Sequence, residues 1–172
     1  MKTFLIILGL LLAAVSQTTV LPFLAISGIV PNLVLVLTLL LVIFRDFKKT
    51  WWLVILGGLF LDLFSGLSFG LIGLSLLTTA YFISRFNQSI FPEAKFWIVL
   101  FLIGLASLFY GLVLFGLAKL FILINLSQQE IYLSLLSLNY LVGLLISAFY
   151  NMAFLICLYG IKKIFYPASF SK

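Results

Sequence analysis

Apolar residues run through this chain in long blocks, and the polar residues fall between them in short clusters. The first block covers residues 4–24, follows Lys2, and is interrupted by Ser16, Gln17, Thr18 and Thr19 before Pro22. A second block, residues 31–44, opens at Pro31, a residue suited to a first helical turn. It ends in Arg45-Asp46-Phe47-Lys48-Lys49, the most charged segment, and Trp51-Trp52 follow as amphipathic rings do at a headgroup boundary. The third block continues to Phe64, and the small residues Ser65, Gly66, Ser68 and Gly70 then predict a tight turn or helix break. A fourth block, residues 71–83, closes at Ser84-Arg85, and residues 87–95, with Pro92 and Glu93, read as a loop. The fifth runs over residues 96–117, with room to reach Ile124, and residues 125–130 form the next loop. The sixth, residues 132–161, is too long for one straight crossing, so it tilts or begins along the interface. Lys162-Lys163 close it.

Blocks of this length predict α-helices, since about 20 apolar residues are needed to cross a bilayer as a helix. Six such blocks predict an all-α, polytopic membrane helical bundle of about six transmembrane helices. Composition makes the same demand: of 172 residues 65% are hydrophobic and only 8% charged, with a mean hydropathy of +1.37. A soluble domain carries about 25% charged residues, and a fold of this size could not hide so much apolar surface from water. Nothing is long or polar enough for a separate soluble domain, so residues 1–172 read as one integral-membrane domain. The start of the first block also resembles a secretory signal, with Lys2, an apolar stretch and then Ala13-Ala14-Val15-Ser16. Apolar character resumes at Val20, so a retained first span is expected; cleavage would leave five.

The net charge of +6 would suggest nucleic acid in a soluble protein. Here the basic residues are scattered in connections, with no basic stripe and no nucleic-acid motif, so membrane lipid is the expected partner and nucleic acid is not. With the N-terminus inside, nine of the ten basic residues fall on the inner side: Lys2, Arg45, Lys48, Lys49, Arg85, Lys95, Lys162, Lys163 and Lys172. Only Lys119 falls toward the outside, where it can snorkel. That asymmetry predicts cytoplasmic N- and C-termini. Cys157 is the single cysteine, inside an apolar run, and reads as a small buried hydrophobe. With no His, no cysteine pair, no carboxylate cluster and no phosphate-cradling loop, no catalytic residue, metal site or cofactor is expected, nor is an enzyme.

Asp62 is the most informative side chain, because a carboxylate at membrane depth is expensive and points to function when it is buried. The alternative, of equal weight, is that it lies near the outer interface and caps the Ser65–Gly66 turn. Gly57, Gly58, Gly66, Gly70 and Gly73 gather around it. Gly66 and Gly70 have the small-xxx-small spacing of close helix contacts, but a break there favours a tight corner within the chain over a dimer. Gln17, Thr18 and Thr19 make a polar notch, expected to bond across helices before lining any pocket.

Ile29-Val30-Pro31-Asn32-Leu33-Val34-Leu35, then Gly57-Gly58-Leu59-Phe60-Leu61-Asp62 and, after the turn, Phe69-Gly70-Leu71-Ile72-Gly73-Leu74 form a recognisable series. It resembles the bacterial rod shape-determining MreD family, over roughly residues 15–85. That family opens its second span with Pro-Asp or Pro-Asn, ends a Gly-rich third span in Leu-x-Asp, and has a Gly-Leu pair after the turn. Asn32 stands where an Asp is common, which speaks against a required charge at that position.

The resemblance implies a non-enzymatic subunit of the cell-wall elongation complex that sets cell shape during peptidoglycan synthesis, in the bacterial cytoplasmic (inner) membrane. Its implied partners are an MreC-like single-span protein and, through it, a RodA-type polymerase and its transpeptidase. Pro31, Asn32, Gly57, Gly58, Asp62, Gly66, Gly70 and Gly73 would form the partner-binding or structural corner. The family is similar in fold to the substrate-binding subunits of energy-coupling-factor transporters, so a vitamin-type small-molecule carrier is the second reading. Such a carrier would use Gln17, Thr18, Thr19, Asn32 and Asp62, but the Ala-xxx-Ala docking patch expected on its first span is missing: Ala13 and Ala14 are followed four residues on by Gln17 and Thr18.

Overall fold

The apolar blocks fold as helices, and the helices extend past the blocks wherever polar residues do not break the backbone. The computed structural model describes residues 2–25, 28–90, 95–124 and 139–165. Among them are six α-helices: α1 (Lys2–Thr19), α2 (Leu33–Arg45), α3 (Phe47–Ser65), α4 (Leu71–Ile90), α5 (Phe96–Leu123) and α6 (Asn139–Phe165). A short 3-10 turn, Leu21–Leu24, follows α1 with Pro22 near its start. The first block is thus two pieces, because proline's ring cannot continue the preceding helix. The expected loop at residues 87–95 is shorter, since α4 runs on to Ile90. The 125–130 loop and the first turns of the sixth block lie outside the described residues.

α5 and the 142–160 stretch of α6 are long and apolar enough to cross a membrane; α1 and α2 are shorter apolar helices. α2 is the hub of the bundle and touches each of the other five helices. Its buried face therefore wraps most of the cylinder, from Val34, Leu35 and Val36 to Leu39, Val42 and Ile43. A helix apolar all round belongs in an interior of this kind. α3, α4, α5 and α6 pack each against the next in chain order, and α1 closes against α2 and α3.

The surface is rich in large apolar side chains, and the aliphatic interior also holds a few polar groups. Phe4, Leu12, Trp97, Leu123 and Phe149 stand in the open, at 67%, 56%, 75%, 78% and 68% exposure. The interior meanwhile holds Thr38, Thr50, Asp62, Ser75, Thr79, Ser84, Ser107 and Asn151. Most of the buried hydroxyls bond back to the carbonyl one turn earlier, as in Thr38 to Val34, Ser75 to Leu71 and Thr79 to Ser75, and so need no partner helix. Cys157 is exposed on α6, not buried as expected: helical phase turns it outward while Leu155 faces the core.

Two junctions fix the α2–α3–α4 unit. Asp46 alone joins α2 to α3, with φ of 72°, unusual for a non-glycine residue. Its carboxylate accepts a hydrogen bond from the Gln88 amide at 2.6 Å, and its carbonyl accepts one from the Thr50 hydroxyl. At the other junction, α3 ends at Gly66 in the left-handed region (φ 69°), and Gly70 (φ 91°) turns the chain into α4. These two glycines make the turn; neither has a neighbour that a Cβ would meet.

The adjacent pair Gly57 and Gly58 face different neighbours, as residues one apart on a helix must. A Cβ on Gly57 would come within 3.0 Å of Val34 and 3.1 Å of Thr38 on α2. A Cβ on Gly58 would lie 2.6 Å from the Cα of Gly73, so α3 and α4 meet backbone to backbone. Gly58→Ala is expected to lower stability by about 1–3 kcal/mol, because the contact is with backbone and cannot yield cheaply. Gly116→Ala, where a Cβ meets nothing within 4 Å, should leave it unchanged. Thermal unfolding of the two variants in detergent checks this.

Candidate functional site

The Gly58–Gly73 contact brings Asp62, one turn further along α3, against the start of α4. Asp62 is 4% exposed, and its two carboxylate oxygens accept hydrogen bonds from the backbone amides of Ile72 (2.9 Å) and Gly73 (3.0 Å). First-turn amides of a helix have no partner within it and carry the positive end of its dipole. One buried carboxylate thus satisfies two of them, and they in turn supply the charge-assisted bonds that make its burial tolerable. Asp62 does cap, but it caps α4 and not the Ser65–Gly66 turn. That turn is held by the Ser65 hydroxyl, which donates to the Asp62 carbonyl and accepts from the Leu67 amide. A Cβ on Gly73 would sit 2.9 Å from the carboxylate, so Gly73 also clears the space the bonds require.

A second buried polar group lies close by. Asn151 on α6 is fully buried. Its carbonyl oxygen accepts from the Asn32 amide at 2.7 Å, and its amino group donates to the Ser107 hydroxyl of α5 at 2.9 Å. The Ser107 hydroxyl in turn donates a hydrogen bond to the Ile103 carbonyl. Asn32 caps α2, its side-chain oxygen accepting from Leu35 at 2.9 Å. Tyr110, on α5, packs against the same buried core. Tyr140 donates to the Gly111 carbonyl at 2.9 Å. The polar core therefore links α2, α5 and α6 through Asn151.

The expected site residues divide accordingly. Gly58, Asp62 and Gly73 come together as one corner, with Gly66 and Gly70 forming its turn, while Asn32 bonds instead to Asn151 in the polar core. Gly57 faces away, toward α2. Pro31 is buried just outside α2, which starts at Leu33 with Asn32 as its cap, so Pro31 does not occupy the first helical turn. The Gln17–Thr19 notch does not join them. Thr18 and Thr19 are exposed, and their hydroxyls return to the carbonyls of Ala14 and Val15 on their own helix. The buried side-chain oxygen of Gln17 has no hydrogen-bond partner among the described residues.

Asn151, Ser107 and Tyr110 are not among the expected site residues. A signal existed for Asn151, the one carboxamide between residues 141 and 161, because an Asn inside a span bonds to another helix or costs free energy. Its partner, 119 positions away, left no trace in the sequence. Chemically the arrangement holds backbones in place: the side chains of Asp62, Asn32, Asn151 and Ser107 are each spent on an amide, a carbonyl or another side chain. No three His, Cys, Asp or Glu side chains converge among the described residues. No protein-family model matches this chain, and no curated protein or solved structure matches it significantly.

Two substitutions test the core. Asp62→Asn keeps the shape but turns one acceptor into a donor facing an amide, and Asn151→Leu leaves the Asn32 amide and Ser107 hydroxyl without Asn151. Each is expected to cost about 1–3 kcal/mol, the penalty for stranding a buried polar group. Asn151→Leu should loosen α6 in hydrogen exchange, whereas Asp62→Asn should loosen the start of α4.

Proposed function

We propose that this chain is a six-span protein of the bacterial cytoplasmic membrane, with both termini inside. In this reading it is a non-enzymatic scaffold of the cell-wall elongation complex that holds an MreC-like single-span partner. The observation that carries the membrane reading is the apolar surface of the bundle: large apolar side chains face outward, while Asp62 and Asn151 are buried and hydrogen-bonded. An apolar exterior of that extent suits lipid as the solvent. Orientation rests on the basic residues and the tryptophans. Arg45, Lys48 and Lys49 lie where α2 ends and α3 begins, Arg85 is near the end of α4, and Lys95 precedes α5. Trp51, Trp52 and Trp97 stand at the same end, as an interfacial belt does.

A scaffold role is supported by the polar core. Its groups are directed at the protein's own helices, which suits keeping a shape better than binding a polar solute. The resemblance of the residue 29–35, 57–66 and 69–74 segments to the MreD family supplies the partner class. In hydrocarbon a partner helix would be held by close packing and a few hydrogen bonds. With Thr18 and Thr19 bonded to their own helix, the vitamin-carrier alternative loses part of its candidate site.

Topology is checked with Cys157 replaced by Ser. Ser68→Cys should react with a membrane-impermeant maleimide in intact cells, and Lys48→Cys only after permeabilisation; the reverse pattern sinks the orientation. Co-expression with an MreC-like protein should give a complex that survives size exclusion in mild detergent. Recovery of the folded chain without that partner across several such proteins would count against the scaffold.

A further inference from the structure

The basic end of the bundle has two recesses of unlike chemistry. One, of about 440 Å³, lies between the start of α3 and the end of α4 and is lined in part by Lys48, Trp51, Arg85 and Asp46. Asp46 supplies it with a carboxylate, bonded to Gln88. The other, of about 420 Å³, lies between the start of α1 and the α2–α3 junction, and is lined in part by Thr3, Arg45, Lys49 and Trp52. No acid lines it. Arg45 and Lys49 are both exposed, and neither side chain has an ion pair or hydrogen bond among the described residues.

This second recess does not end at the basic rim. Ile6, Phe44 and Arg45 also line an almost wholly apolar groove of about 280 Å³ that continues between α1 and α2 toward Gly9 and Leu37. From Leu37 to Arg45 the groove follows α2 for about 12 Å. Gly9 forms part of its floor, and a Cβ there would meet nothing within 4 Å. Two unpaired cations at the mouth of an apolar slot, beside an indole, match the two halves of one kind of molecule.

We propose that the cleft between α1 and the α2–α3 junction binds an anionic phospholipid, with its phosphate on Arg45 and Lys49 and an acyl chain along the groove over Gly9. The cations answer the headgroup's charge; the groove answers its tail. The site depends on the bundle's being embedded in lipid and not on which protein partner it holds.

Native mass spectrometry of the delipidated full chain in detergent tests this, using phosphatidylglycerol and phosphatidylcholine with the same acyl chains. The wild type should retain phosphatidylglycerol at least tenfold better, and an excess of inorganic phosphate should not displace it. The double variant Arg45→Gln/Lys49→Gln should lose that preference, while Lys48→Gln, on the acid-containing recess, should change it less than twofold. Gly9→Leu should reduce retention of both lipids severalfold with no change in melting temperature. Equal loss in Lys48→Gln would mean a diffuse basic surface, and equal retention of both lipids would mean no headgroup site; either overturns the proposal. So does displacement by phosphate. If Gly9→Leu leaves lipid retention intact but lowers capture of an MreC-like partner, the groove belongs to a protein helix and the lipid assignment fails.

Discussion

A carboxylate held by two helix-terminal amides is the interaction on which the arrangement of this bundle turns. In an apolar interior neither party could stand alone: an unpaired carboxylate is costly to bury, and so are unsatisfied amides. Asp62 and the start of α4 are each the other's solution. The bonds require the two backbones to be near, which Gly58 and Gly73 allow, and they require a short side chain, which Asp has and Glu does not. The α3–α4 pair set in this way presents one flank to α2 and another to α5, so the position of most of the bundle follows from it.

Asn151 plays the corresponding part for α6. Aliphatic contacts alone do not fix how one helix is turned against its neighbour, since the hydrophobic effect has no direction. α6 touches the hub helix and α5, and at both contacts a carboxamide hydrogen bond adds direction to packing that would otherwise be non-directional. The Gly111–Leu144 and Gly104–Met152 contacts then let α5 and α6 close around it. Small residues set the distances, and a few polar groups set the orientation.

What the sequence made legible follows from this division. Helix placement could be read because the blocks are long and their polar interruptions sharp, and Gly66 and Gly70 marked the α3–α4 corner because few residues can turn a chain there. Asp62 stood out for the same reason that it matters: a lone charge in an apolar block has few fates. Exact ends were less visible, since residues 87–90 are polar enough to resemble a loop yet continue α4. Cys157 and Thr18–Thr19 were misjudged because blocks apolar all round carry no periodicity that tells an inward face from an outward one. The link from Asn32 to Asn151 was invisible because it depends on which helices become neighbours, and no local pattern encodes that.

The single-residue junction at Asp46 has a consequence for how such a chain can change. With no loop between α2 and α3, the phase of one helix is transmitted directly to the next. An inserted or deleted residue there would turn every later side chain of α3 by about 100° around its axis. Gly57 would leave α2, Gly58 would leave α4, and the carboxylate would point elsewhere. Point substitutions on the exposed surface can accumulate freely, but length at this position cannot drift, and the spacing from Asp46 to Asp62 behaves as a fixed ruler.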